Sequence, residues 1–65
     1  MIPPDQERLA EALAVERLHG DQAPLFVAER IGALALAGDD AGIARWVEIA
    51  KKLDWLRRAA AERSS

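Results

Sequence analysis

Few side chains in this sequence could carry out catalysis or bind a metal ion. His19 is the only histidine, cysteine is absent, and the only serines are Ser64 and Ser65 at the end of the chain. A serine–histidine–aspartate triad and a thiolate metal site therefore have no candidates. The adjacent Asp39 and Asp40 lack the alternating ligand spacing of a calcium loop and are typical of a helix start. We expect no enzymatic activity, no cofactor and no metal.

The residue best suited to binding is Trp55. A helix turns about 100° per residue, so a helix over the last third of the chain places Trp55 about 180° from Trp46 on the apolar stripe. A large apolar ring on a basic, polar face suits a surface that binds a partner. The alternative is that Trp55 stacks on Lys51 or Arg58, or covers a neighbouring helix. The predicted partner-binding residues are Trp55, Lys51, Lys52, Arg57 and Arg58.

The elements that must position these residues are helices, because no segment shows the alternation of a strand. Gly20 and Gly38 each follow a helical pattern, and glycine is favoured just past a helix end. Asp21 can cap the following helix, as can Asp39 or Asp40. We predict an all-α, compact three-helix domain with short loops and helices at about 5–19, 22–37 and 40–60. This domain is expected to span 5–61, after an N-terminal extension at 1–4 and before a frayed tail at 62–65.

The second and third predicted helices differ in their apolar pattern. Residues 25–37 are apolar almost all round, which is usual for a helix at the buried centre of a bundle. The third helix is amphipathic, with an apolar stripe of Ile43, Trp46, Ile49, Ala50, Leu53, Leu56 and Ala60. Arg57 also falls on this stripe, so the last turns are expected to overhang the core. That overhanging end, with Trp55 and Arg58, is a plausible contact site.

Charge is divided unevenly along the chain. Residues 1–42 carry three basic and eight acidic side chains, whereas residues 43–65 carry six basic and three acidic ones. The two halves could pair within one chain or between antiparallel copies, or the basic half could bind an acidic partner. A helix-turn-helix could instead present Arg45, Lys51 and Lys52 to DNA. The acidic turn and the net charge of −2 make nucleic acid an unlikely partner.

Part of the sequence resembles a known family. The segments that carry this likeness are Glu11–Arg17, His19–Gly20, Ile31–Ala35, Gly38–Asp39, Gly42 and Arg45–Trp46. They are similar to a family of very short bacterial helical proteins of unknown function, over about residues 5–56. The resemblance implies a small cytoplasmic protein, and it supplies no activity, cofactor or catalytic residue. Trp55 lies outside the resembling pattern.

These observations favour a small non-enzymatic protein–protein interaction module. It would act as a homodimer or an adaptor, through the outer face and the C-terminal end of the third helix. The first alternative is a nucleic-acid-binding regulator, and the second is an antitoxin- or inhibitor-like protein that sequesters a larger partner. The start of the chain lacks the pattern of a signal peptide, and the longest apolar run is too short to span a bilayer. We therefore expect a cytoplasmic protein that does not contact membranes.

Overall fold

Almost every described residue of the chain is helical. The computed structural model describes residues 4–64. Its elements are helix α1 (Pro4–His19), a 3-10 turn (Gly20–Gln22), helix α2 (Ala23–Leu36) and helix α3 (Asp40–Ser64). Within 4–64 only Ala37–Asp39 lie outside a helix, and no residue is in a strand. The prediction of an all-α fold is therefore confirmed.

The connection between α1 and α2 differs from the predicted break. Gly20 has a positive φ of 52°, as expected for the glycine after a helix. Asp21 does not cap α2, because the backbone continues as a 3-10 turn in which the Ala23 N–H donates to the Gly20 carbonyl. The described helical residues consequently form two unbroken runs, 4–36 and 40–64. The predicted arrangement of three helices separated by two breaks is therefore not confirmed.

The break before α3 follows the sequence pattern closely. Gly38 adopts a φ of 71°, a left-handed conformation that side chains disfavour. Asp39 then caps α3, since its Oδ1 accepts the Gly42 N–H at 2.9 Å. A Cβ atom on Gly42 would lie 2.5 Å from Asp39 Oδ2 and 3.0 Å from Leu34 Cδ2. A side chain at position 42 would therefore require the Asp39 carboxylate to move from the position in which it caps α3.

Helix α3, and not α2, is the central element. Both α1 and α2 pack mainly against α3 and touch each other less. Each α-helix supplies buried residues to the core, which consists of Ala12, Val15, Ala23, Val27, Ile49 and Leu53. The prediction that α2 is the buried centre is wrong, because α2 packs mainly against α3 and only Ala23 and Val27 of α2 are buried. Leu25 and Leu36 of α2 are exposed.

Helix α3 continues beyond its predicted end at residue 60. Its 25 residues make it about 37 Å long at 1.5 Å per residue, and the molecule measures 41 Å along its longest axis. Ala59 is still half-buried, whereas Ala60 is exposed although it was predicted to face the core. Residues 62–64 of the predicted tail are helical. Residues 1–3 and 65 lie outside the described part of the chain.

Candidate functional site

Trp55 borders an open groove between the start of α1 and the outer face of α3. The groove has a volume of about 340 Å³ and is lined by Asp5, Leu9, Glu48, Lys51, Lys52 and Trp55. We refer to these residues as the Trp55 groove. The Trp55 side chain is 60% exposed, so most of the ring remains open to solvent. The sequence prediction that Trp55 lies on the outer face of its helix is confirmed.

The charged residues of the Trp55 groove form mixed pairs. Lys51 Nζ lies 3.3 Å from Glu48 Oε1, and Lys52 forms an ion pair with Asp5 of α1. Each lysine of the groove therefore has a carboxylate beside it. Paired charges at the edge of an apolar surface are typical of the polar rim of a protein interface.

Trp55 does not make the cation–π contact that the sequence left open. The cation–π contact within residues 4–64 involves the other tryptophan, Trp46. The Arg30 guanidinium lies 5.6 Å from the centre of the Trp46 ring. The Trp46 ring also meets Phe26 edge to face, with the ring centres 5.9 Å apart. Phe26 and Arg30 of α2 thus both contact Trp46, which packs against the core. Trp55 is covered only in part, on its groove side, where Leu9 of α1 also lies.

The other two predicted contact residues, Arg57 and Arg58, do not line the Trp55 groove. Arg57 Nη1 lies 3.2 Å from Glu16 Oε2 and 3.4 Å from the Gly20 carbonyl oxygen, so it holds the C-terminal end of α1. Arg57 and Trp55 point to nearly opposite sides of α3, because two residues along a helix differ by about 200°. Arg58 forms its ion pair with Asp54 at 3.0 Å. Trp55 and Arg57 therefore do not share one face of α3, and a contact role for Arg57 and Arg58 stays a prediction.

Sequence reasoning missed the contribution of α1 to the groove. Asp5 and Leu9 lie on α1 and line the groove from that side. Leu13 follows Leu9 by four residues and lies on the same side of the helix; Leu13 is exposed, whereas Leu9 is half-buried. The spacing of Leu9 and Leu13 was visible in the sequence, but the position of Leu9 beside Trp55 depends on how α1 crosses α3.

The acidic and basic parts of the chain form ion pairs with each other within a single chain. Ion pairs join α1 to α3 at Glu11–Arg45, Asp5–Lys52 and Glu16–Arg57. The alternative in which the acidic and basic parts pair within one chain is therefore confirmed. Partial burial alone would raise the pKa of the Glu11 carboxyl, but the hydrogen bonds and charges of Arg45 and Arg8 outweigh it. The pKa of Glu11 consequently lies below its ordinary value of 4.5.

Other types of site find little support in the described residues. Within 4–64 no group of three or more acidic or histidine side chains is placed to hold a metal ion. The ring of His19 stacks on Phe26, with the ring centres 3.9 Å apart. The helices of this part of the chain are all too short or too polar to cross a membrane.

Comparison with known proteins places the chain in a family. A family model matches residues 4–61, which is nearly the whole chain. The chain belongs to DUF6961, a family of unknown function. The resemblance to a family of unknown function is thereby confirmed, and the family description assigns no activity. No curated protein matches the chain, and no solved structure does.

Proposed function

We propose that this member of the family is a small, non-enzymatic interaction module whose Trp55 groove binds another protein. The observation that carries the proposal is the 60% exposure of Trp55 beside an apolar and charge-paired groove. Tryptophan is among the residues that contribute most to protein interfaces. The partner would insert an apolar side chain next to Trp55 and Leu9, and the ion pairs of the groove would form the polar rim.

The exposed part of Trp55 is large enough to dominate an interaction. An aromatic side chain buries roughly 200 Å², so the 60% that is exposed corresponds to about 120 Å². At about 25 cal/mol per Å², covering that area contributes about 3 kcal/mol. This free energy corresponds to roughly 100-fold in Kd. A single substitution at position 55 should therefore be enough to test the proposal.

Charge favours a protein over a nucleic acid as the occupant of the groove. A phosphate backbone binds where basic side chains act without nearby carboxylates. Lys51 and Lys52 are each paired with a carboxylate, and both carboxylates line the same groove. A phosphate would have to displace them and would be repelled by them. An inhibitor that sequesters a larger partner would use the groove in the same way as an adaptor.

Affinity capture with matched variants tests the proposal. The chain, its Trp55→Ala variant and its Leu18→Ala variant would be used as baits in extracts of the cells that produce the protein. Leu18 is a suitable control because it is 79% exposed and lies outside the groove. We expect a protein that the wild type and Leu18→Ala retain and that Trp55→Ala loses. Equal capture by all three baits would reject the proposal.

A second assay separates proteins from nucleic acids. The doubly substituted Lys51→Glu and Lys52→Glu variant would be compared with the wild type for retention on DNA. Because the groove already contains carboxylates, we expect neither chain to be retained at physiological salt. Retention of the wild type that the double variant abolishes would support a nucleic-acid-binding regulator instead.

A further inference from the structure

The two walls of the Trp55 groove belong to different helices, and one ion pair joins them. Two of the lining residues lie on α1 and the other four lie on α3. Lys52 of α3 pairs with Asp5 of α1, so this ion pair crosses from one wall to the other. The second ion pair of the groove, Lys51–Glu48, lies within α3. Of these two ion pairs, only Asp5–Lys52 can therefore hold the walls together.

The first turn of α1 has few other attachments to α3. The buried residues of α1 lie in its second half, and residues 5–7 are exposed. Within 4–64, residues 5–7 make no other ion pair or side-chain hydrogen bond with α3. The next ion pair toward α3 is Glu11–Arg45, which starts six residues further along α1, or about 9 Å on a helix. The ion pair between the walls is thus the main polar attachment of this turn.

The Asp5–Lys52 pair is weak enough to open at ordinary temperature. The Asp5 side chain is 77% exposed and the Lys52 side chain is 27% exposed. An ion pair between exposed side chains shifts a local equilibrium by roughly fivefold at most. Where nothing else favours either state, loss of such a pair raises the detached fraction of the turn from about one-sixth to one-half. Salt acts in the same direction, because the Debye length falls from about 10 Å at 0.1 M to about 3 Å at 1 M.

We propose that the Asp5–Lys52 ion pair is a latch that holds the first turn of α1 across the Trp55 groove. The closed latch keeps Leu9 beside Trp55, in the arrangement that the apolar side chain of a partner would contact. The open latch lets the turn move away and uncovers the groove side of the Trp55 ring. The biological role of the latch rests on the proposed function, because only a partner would use the closed groove. Opening half of the molecules would weaken binding of that partner about twofold.

Fluorescence quenching of Trp55 tests the latch without a partner. Trp46→Phe leaves Trp55 as the only tryptophan. The ring is 60% exposed when the latch is closed, so full exposure in half of the molecules raises its mean accessibility about 1.2-fold. Asp5→Asn should therefore raise the Stern–Volmer constant for acrylamide about 1.2-fold at low salt. Raising NaCl to about 1 M should have a similar effect on the chain with Asp5 and little effect on Asp5→Asn.

Two further variants make the test specific to the latch. Glu48→Gln breaks the other ion pair of the same groove and should leave quenching unchanged. Asp5→Asn also removes a charge that interacts with the helix dipole, and Lys52→Met separates this effect from the latch. In the Lys52→Met background, Asp5→Asn should have no further effect. The latch is overturned if Asp5→Asn leaves quenching unchanged, if Glu48→Gln raises it equally, or if Asp5→Asn acts equally with and without Lys52.

The latch and the proposed function can fail independently. Quenching that follows these expectations supports the latch even where affinity capture retains no protein, and the proposed function alone is then rejected. A captured partner together with unchanged quenching rejects the latch alone. The series can also be measured with both tryptophans in place, so it does not depend on the folding of Trp46→Phe. Because Trp46 packs against the core, the change should then be smaller but in the same direction, and no change would overturn the latch.

Discussion

The N-terminal cap of α3 offers a quantitative test of the packing around its first turn. Asp39→Ala removes the Oδ1 atom that accepts the Gly42 N–H at 2.9 Å. Loss of an aspartate cap lowers the free energy of unfolding by about 1 kcal/mol. For a domain of this size we expect a Tm about 4–8 °C lower. Circular dichroism during thermal unfolding at fixed protein concentration measures the change.

Gly42→Ala should remove the same cap by a different route. Its Cβ would lie 2.5 Å from Asp39 Oδ2 and 2.8 Å from Asp39 Cγ, so the carboxylate must move away. Alanine gains up to about 1 kcal/mol in helix propensity, which roughly offsets the lost cap. We therefore expect Gly42→Ala alone to change the free energy of unfolding little. In the Gly42→Ala background, Asp39→Ala should have almost no further effect.

The matched control for this cycle is Asp40→Ala. Asp40 is the first residue of α3, where its charge interacts favourably with the helix dipole. Its removal should lower the free energy of unfolding by only about 0.5 kcal/mol. The reasoning is refuted if Asp39→Ala destabilises equally in the presence and absence of Gly42→Ala. It is also refuted if Asp40→Ala destabilises as much as Asp39→Ala.

Three further outcomes are expected. Glu11→Gln should lower the Tm at pH 7, because the Glu11 carboxylate has a lowered pKa in the folded chain and stabilises it. The difference in Tm from the wild type should begin to shrink as the pH falls through 4.5 and should vanish below the lowered pKa of the folded chain, where Glu11 is protonated. Thermal unfolding over a pH series measures this, and a constant difference at all pH values would contradict it. Ile49→Ala should lower the free energy of unfolding by about 2–5 kcal/mol, because Ile49 is fully buried. Urea titration measures this change, and a loss under about 1 kcal/mol would contradict the placement of Ile49 in the core. Trp55→Ala should lower the free energy of unfolding by at most about 2 kcal/mol, because only about 80 Å² of the ring is covered within the single chain. A loss above about 3 kcal/mol, as large as that of a core residue, would show that the ring mainly stabilises the single chain.

The features that sequence predicted correctly are those set by neighbours along the chain. Gly20 and Gly38 both adopt the left-handed conformation expected of a glycine after a helical pattern, although only Gly38 interrupts the helical run. Asp39 caps α3 through an N–H three residues away. The buried positions Ile49 and Leu53 follow from helical spacing alone.

The features that sequence reasoning missed depend on how the helices meet. The pattern of α2 predicts a buried helix, but its burial depends on where α1 packs. Arg57 was expected at an overhang, and it instead pairs with Glu16, which is 41 residues away along the chain. Leu9 reaches the Trp55 groove for the same reason, through the crossing of α1 and α3. No local pattern determines such contacts.

Photo-cross-linking at position 55 tests the central claim most directly. Trp55 would be replaced with benzoylphenylalanine, an aromatic residue that bonds to neighbouring molecules on illumination, in the cells that produce the protein. Arg17, an exposed residue of α1 outside the groove, would be replaced in the control chain. We expect an adduct with one protein at position 55 and none at position 17. The same adducts at both positions, or an adduct at position 55 that nuclease removes and protease does not, would contradict the account.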